Sequence, residues 1–276
     1  MKKLFDYHLH TCVSEDASST LPEMAEAAAE LGLSEIAITN HFIIGYEGYQ
    51  VTVSQLESHR EEAIKLESRL GIKILIGAEV DYFEGKEAEI ERFLSSFDFD
   101  IVLGAAHFVD GYGIASESGA TELLKMMDAG TAFRKSIVKA TEAAATGMFD
   151  VMAHPDIMKK YTPFPDDLPA YEEYYEEAVE FAKTLNRTNT GFEINCRGFD
   201  HNAGEQYPSM DFVRTLLGEG VDTVTIGSDA HDSATVGKYL DKGLSFATQA
   251  GIREFSLFEK RKCVEKISTS EMGFDF

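Results

Sequence analysis

Residues 6–16, DYHLHTCVSED, place His8 and His10 two positions apart directly after an apolar start. Side chains alternate along an extended segment, so this spacing aims both imidazoles to one side. Neutral imidazole with carboxylate is the donor set of zinc, iron and manganese sites. A single His-x-His pair is a weak signal, and its weight comes from the rest of the chain. Of the eight histidines, His8, His10, His41, His107, His154 and His231 fall at or just after the ends of short β-branched or aromatic runs. Glu79 in IGAEV and Asp229 in IGSDAH occupy the same kind of position, and Asp229 with His231 repeats the two-residue spacing. Such a set exceeds what one four- or five-coordinate ion uses, so it implies two or three divalent ions, zinc, manganese or iron. Asp16 is a further oxygen donor in the first loop. Cys12 has no partner cysteine and reads as a packed small side chain, His59 as a solvated helix residue, and His201 as a loop residue.

These groups meet only if the elements carrying them share a face. Strand-like runs occupy 2–9, 35–40, 72–80, 98–106, 148–154, 190–195, 221–229 and, more weakly, 253–258. Helical patterns at 21–32, 54–71, 119–147, 170–186, 209–220 and 234–251 lie between them. Regular alternation of this kind predicts a parallel sheet covered by helices. Seven or eight units with no break in composition favour a closed or nearly closed barrel, read as a single domain over 1–276 in which 232–276 is a closing segment. The ends of parallel barrel strands share one rim, so residues two hundred positions apart converge there. The least regular stretch, 155–170, holds four of the six prolines and reads as a long loop.

Composition narrows the partners. With 44% hydrophobic residues in a chain of 276, a large core is expected. A formal charge of −23 repels a phosphate backbone, which argues against nucleic acid as a partner. No stretch reaches eighteen apolar residues, and the N-terminal residues lack the pattern of a signal peptide, so a soluble cytoplasmic protein without a membrane partner is expected. The three cysteines show no CxxC spacing. Sequence leaves the oligomeric state open.

In order along the chain, HLHTCVSED, ITNHF, GAEVDY, GAAHFVDG, MAHPD, FEINCRG and GSDAH resemble the motifs of the PHP (polymerase and histidinol phosphatase) metallophosphoesterases from residue 6 to about residue 231. The resemblance implies a distorted (β/α)7 TIM-like barrel. It also implies a grouping of ligands: His8, His10, Glu79 and Asp229 on one ion, Glu79 bridging to a second held by His107 and His154, and Asp16, His41 and His231 on a third. The histidinol-phosphate phosphatase branch looks closest, through AAHFVDG, HPDIMKKY and FEINCRG, with L-histidinol phosphate as the implied substrate. A phosphatase or phosphodiesterase acting on nucleotides or other small phosphoesters is the alternative within the family. A barrel that binds metal without turnover is the alternative outside enzymes.

Hydrolysis by a metal-held hydroxide requires no serine or cysteine nucleophile, and the chain lacks a P-loop or GxSxG motif. Arg197 could present a planar fork to phosphate oxygens. Lys160 stands where the branch commonly shows arginine, with Lys159 as its competitor. Asp229 or His231 would suit the proton transfer to the leaving alkoxide.

Overall fold

The computed structural model of the protein describes residues 3–161 and 168–273. Its centre is a barrel assembled from β1 (Phe5–Leu9), β2 (Glu35–Ile38), β3 (His41–Phe42), β4 (Lys73–Ile76), β5 (Ala78–Asp81) and β6 (Val102–Ala105), followed after a short hairpin of β7 (Phe108–Val109) and β8 (Tyr112–Gly113) by β9 (Val151–Met152), β10 (Gly191–Asn195) and β11 (Val224–Gly227). One parallel sheet has the order β1-β2-β4, and the other has the order β11-β10-β9-β6-β5-β3. They join where Leu9 bridges Ala230 and where the His10 N–H donates to the Ala230 carbonyl at 2.9 Å. The path is therefore a seven-strand TIM-like barrel, with β2 continuing into β3 and β4 into β5.

That continuation revises the reading of 72–80 as one strand. Gly77 divides it, because a Cβ there would lie 2.5 Å from the Ile101 carbonyl oxygen. The crease lets β4 pair with β2 while β5 pairs with β3 and β6. Both faces of these strands are covered, so even the polar positions of β1 and β10 are buried.

The covering helices start and stop where local chemistry directs. Thr20 and Glu23 form a capping box before α1 (Leu21–Glu30), and Thr52 with Gln55 does the same before α2 (Val53–Leu70), which ends at left-handed Gly71. An unanticipated short helix, α3 (Glu87–Leu94), buries Ile90 and Phe93 in an otherwise charged segment. The single helix expected over 119–147 is two, α4 (Glu117–Met126) and α5 (Ala129–Ala145). Met127 is extended, and the Asp128 carboxylate restarts the helix by accepting from the Thr131 N–H at 2.9 Å. Then come α6 (Tyr175–Thr188), α7 (Met210–Gly218) and α8 (Leu240–Ala250). The proline-containing stretch opens as a 3-10 turn over Ile157–Lys160, and its positions 162–167 lie outside the described residues. His59, expected in solvent, is buried on α2 because its face of the helix turns to the core. No described helix is long and apolar enough to cross a membrane.

The run 253–258 is not an eighth barrel strand. It forms β12 (Glu254–Glu259), which pairs antiparallel with β13 (Lys262–Ser268). This hairpin covers the end of the barrel opposite the histidines, where the Phe258 N–H donates to the Tyr7 hydroxyl at 3.2 Å. Its turn carries Arg261, whose guanidinium donates to both carboxylate oxygens of the largely buried Asp150. Arg261→Ala would leave Asp150 short of its counter-charge and should cost on the order of 2–3 kcal/mol. A thermal midpoint equal to that of the wild type would show that the hairpin contributes nothing through this pair.

Candidate metal centre

The strand ends bring the nine expected ligands to one rim. Glu79 on β5 is 1% exposed, and its two oxygens face five imidazoles. Its Oε2 lies 2.8 Å from His41 Nδ1, 3.4 Å from His8 Nε2 and 3.7 Å from His10 Nε2. Its Oε1 lies 2.8 Å from His154 Nε2 and 3.6 Å from His107 Nε2. Asp229, just past β11, reaches His10 Nε2 at 3.6 Å and His231 Nδ1 at 3.4 Å. Asp16 in the first loop lies 3.2 Å from His231 Nε2 and 3.5 Å from His41 Nε2. The His10 ring is stacked between those of His41 and His231, at 4.3 Å from each.

Three overlapping sets have donor atoms close enough to share an ion: His10, His41 and His231; His8, His10 and Asp229; His8, Glu79 and His154. His8 Nε2 and both ring nitrogens of His10 are buried without a hydrogen bond. Buried polar atoms are normally satisfied, so imidazole nitrogens that face carboxylates without a hydrogen bond fit a role as cation ligands. His154 and Asp229 hold left-handed backbone, with φ of 23° and 54°, a strained conformation for residues other than glycine.

Electrostatics agree with this fit. Burial, together with the neighbouring His231 and His41, pushes His10 well below the usual imidazole range, leaving it neutral and ready to donate a lone pair. Burial opposes protonation of His41 too, yet Glu79 and Asp16 override it and raise that group to about 10. His8 rises likewise through Glu193, Asp229 and Glu79. Glu79 and Asp229 are held well below the carboxylate range, because the imidazoles outweigh burial. The acidic field that keeps protons on these rings is one that would keep dications, and ligation would expel those protons.

The groups behind the rim orient it. His8 Nδ1–H donates to Glu193 Oε1 at 2.8 Å, and His107 Nδ1–H donates to Asp81 Oδ2 at 2.7 Å. Each pair fixes which ring nitrogen faces the rim. The Asn195 amide donates to both Glu193 and Asp229 at 3.1 Å. Sequence reasoning passed over Asp81, Glu193 and Asn195, although Asp81 stands two residues after Glu79 and Asn195 two after Glu193, the alternation that singled out His8 and His10. Gly227 makes room for this layer, since a Cβ there would lie 2.5 Å from both His8 Cβ and Glu193 Oε1.

A cavity of about 340 Å³ opens over the rim, lined by the expected ligands other than His8 and His10 and by Tyr46, Tyr49, Phe108 and Lys160. Lys160 thus faces the cavity, whereas its competitor Lys159 is 2% exposed and paired elsewhere. Arg197 sits half-buried on the 3-10 turn Cys196–Asp200, outside the cavity lining, and its charge acts with those of Lys160 and Asp229 on His201. His201 bonds through Nδ1 to the Tyr207 hydroxyl at 2.8 Å, and burial and nearby cations push it down to about 4. Cys12 is exposed rather than packed.

A PHP domain model matches residues 6–197. The chain is 30% identical over 242 residues to a probable histidinol-phosphatase of Deinococcus radiodurans, covering 86% of this chain and 90% of that one. It is 26% identical over 264 residues to a histidinol-phosphatase of Lactococcus lactis, covering 95% and 96%. The crystal structure of a Lactococcus lactis histidinol phosphate phosphatase, complexed with zinc, L-histidinol and phosphate, superposes with a TM-score of 0.80 at 23% identity, covering 95% of this chain and 99% of that one.

Replacing Glu193 by glutamine keeps the shape behind His8 and removes the charge. Zinc affinity, measured by competition with a chelator, should fall on the order of 10–100-fold. An unchanged affinity would mean that Glu193 does not tune the His8 imidazole.

Proposed function

The chain belongs to the PHP domain family, and on that premise we propose that it is a metal-dependent phosphomonoesterase that hydrolyses L-histidinol phosphate to L-histidinol and phosphate. The observation that carries this reading is the buried Glu79 carboxylate ringed by five imidazoles at the floor of a cavity whose wall includes Lys160. The histidinol-phosphatases it resembles align over nearly their whole length, which supports one catalytic domain spanning 1–276.

In this reading His8, His10, Glu79 and Asp229 would hold one ion, Glu79 with His107 and His154 a second, and Asp16, His41 and His231 a third. Two or three divalent ions there, of zinc, manganese or iron, would supply an activated water and neutralise charge on the phosphoryl oxygens. The remaining work falls to the chain. Lys160 meets the phosphate from the cavity wall, and Arg197 offers its fork from the adjoining turn. Asp229 or His231 would relay to the departing alkoxide the proton given up by the attacking water. Tyr46, Tyr49 and Phe108 give the imidazole of the substrate an aromatic surface. A small ester suits a cavity of about 340 Å³, and the charge of −23 disfavours a nucleic-acid strand.

Phosphate release by the metal-loaded protein from L-histidinol phosphate, nucleoside monophosphates and an aryl phosphate tests the substrate. A kcat/KM clearly highest for L-histidinol phosphate is expected, and comparable values for all three would replace it with a general small-phosphoester phosphatase. Arg197→Ala should lower kcat/KM roughly 10–100-fold, the cost of one charge-assisted hydrogen bond, without changing metal content. Unchanged kinetics would remove Arg197 from the phosphate contacts.

A further inference from the structure

Lys159 is an ammonium almost sealed from solvent, at 2% exposure, one residue from the cavity-lining Lys160. Its ammonium donates to Glu205 Oε1 at 2.8 Å and to the Gln206 carbonyl at 2.7 Å, and it pairs with Asp156 Oδ2 at 2.9 Å, while the Tyr207 ring lies 4.9 Å away. Asp156 in turn accepts from the Ser209 N–H at 2.9 Å. The 3-10 turn after β9 is thereby tied to segment 205–209, with a single cation between two carboxylates.

The second segment closes the loop that carries Arg197. Asn195 and Tyr207 exchange backbone hydrogen bonds at 2.8 and 2.9 Å. Between those ends, Gly198 packs so closely on Glu205 that a Cβ would overlap its carbonyl oxygen. Tyr207 also holds His201 through its hydroxyl.

We propose that Lys159 is a positioning residue that fixes both proposed phosphate-binding cations, Lys160 through the chain and Arg197 through the loop 196–207, from a buried site that touches no substrate. A buried ammonium held by two hydrogen bonds and an ion pair has one low-energy position, because displacing it strands the Asp156 carboxylate in the interior. A lysine paired only for stability would have no preferred relation to phosphate. This inference rests on the phosphomonoesterase reading.

The experiment is a double-mutant cycle on the metal-loaded protein, with inhibition by inorganic phosphate, KM and kcat as readouts and metal content as the control. Lys160→Ala in the wild type is expected to raise the Ki for phosphate and KM roughly tenfold, the loss of one charged contact. Lys159→Met is expected to do the same with full metal content, and Lys160→Ala added to it should cost much less than tenfold. Additive losses, or a wild-type phosphate Ki in Lys159→Met, would overturn the proposal. If Lys159→Met does not fold, Glu205→Gln, at a half-exposed acceptor, carries the same cycle with a smaller coupling of the same sign, and additivity there overturns it equally. Failure of the phosphatase reading looks different, since the wild type would then neither release phosphate nor be inhibited by it.

Discussion

An ionised carboxylate cut off from water is costly unless opposite charge surrounds it, and Glu79 sets that condition for the whole molecule. Its oxygens lie between 2.8 and 3.7 Å from His8, His10, His41, His107 and His154, contributed by four different barrel strands or their following loops. The closed parallel barrel delivers these distant parts of the chain to one point. The crease at Gly77, the Leu9–Ala230 closure and the clearance at Gly227 are what bring β5, β1 and β11 close enough. The ring nitrogens of His8 and His10 that take no hydrogen bond are the donors this cluster offers to a cation.

Around that point the protein is layered by task. The innermost side chains face the cavity, the next hold them by carboxylate–imidazole bonds, and the far end of the barrel is tied shut by the β12–β13 hairpin through Arg261 and Asp150. The proposed phosphate contacts come from the least regular part, the turns after β9 and β10. Such turns lack a ladder of backbone bonds to fix them, which is why a buried ion cluster at Lys159 matters there.

The positions of the proposed ligands were legible in the sequence because strand ends are recognisable from short apolar runs and a parallel barrel sends all of them to one rim. The same local signals do not encode which side chains stand behind that rim. Asp81 and Glu193 acquire their roles from rings on other strands, a relation that exists only after folding. Lys159 and Lys160 are adjacent and chemically alike, and only the 3-10 turn sends one inward and the other to the cavity. The split at Gly77 was hidden because a glycine within an apolar run leaves the run intact as a pattern, while its cause, the Ile101 carbonyl, comes from another strand. The break before α5 was readable in Asp128, a strong N-cap residue, had that signal been set against the continuous helical pattern around it.

The central claim is that Glu79 joins cations rather than merely neutralising histidines. Anomalous diffraction at the zinc, iron and manganese absorption edges, from crystals of protein purified without added metal, addresses it most directly. The account predicts at least two peaks flanking the Glu79 carboxylate, each about 2.0–2.3 Å from imidazole nitrogen or carboxylate oxygen. No peak at the rim, with the imidazoles hydrogen-bonded to the carboxylates and to water, would contradict it.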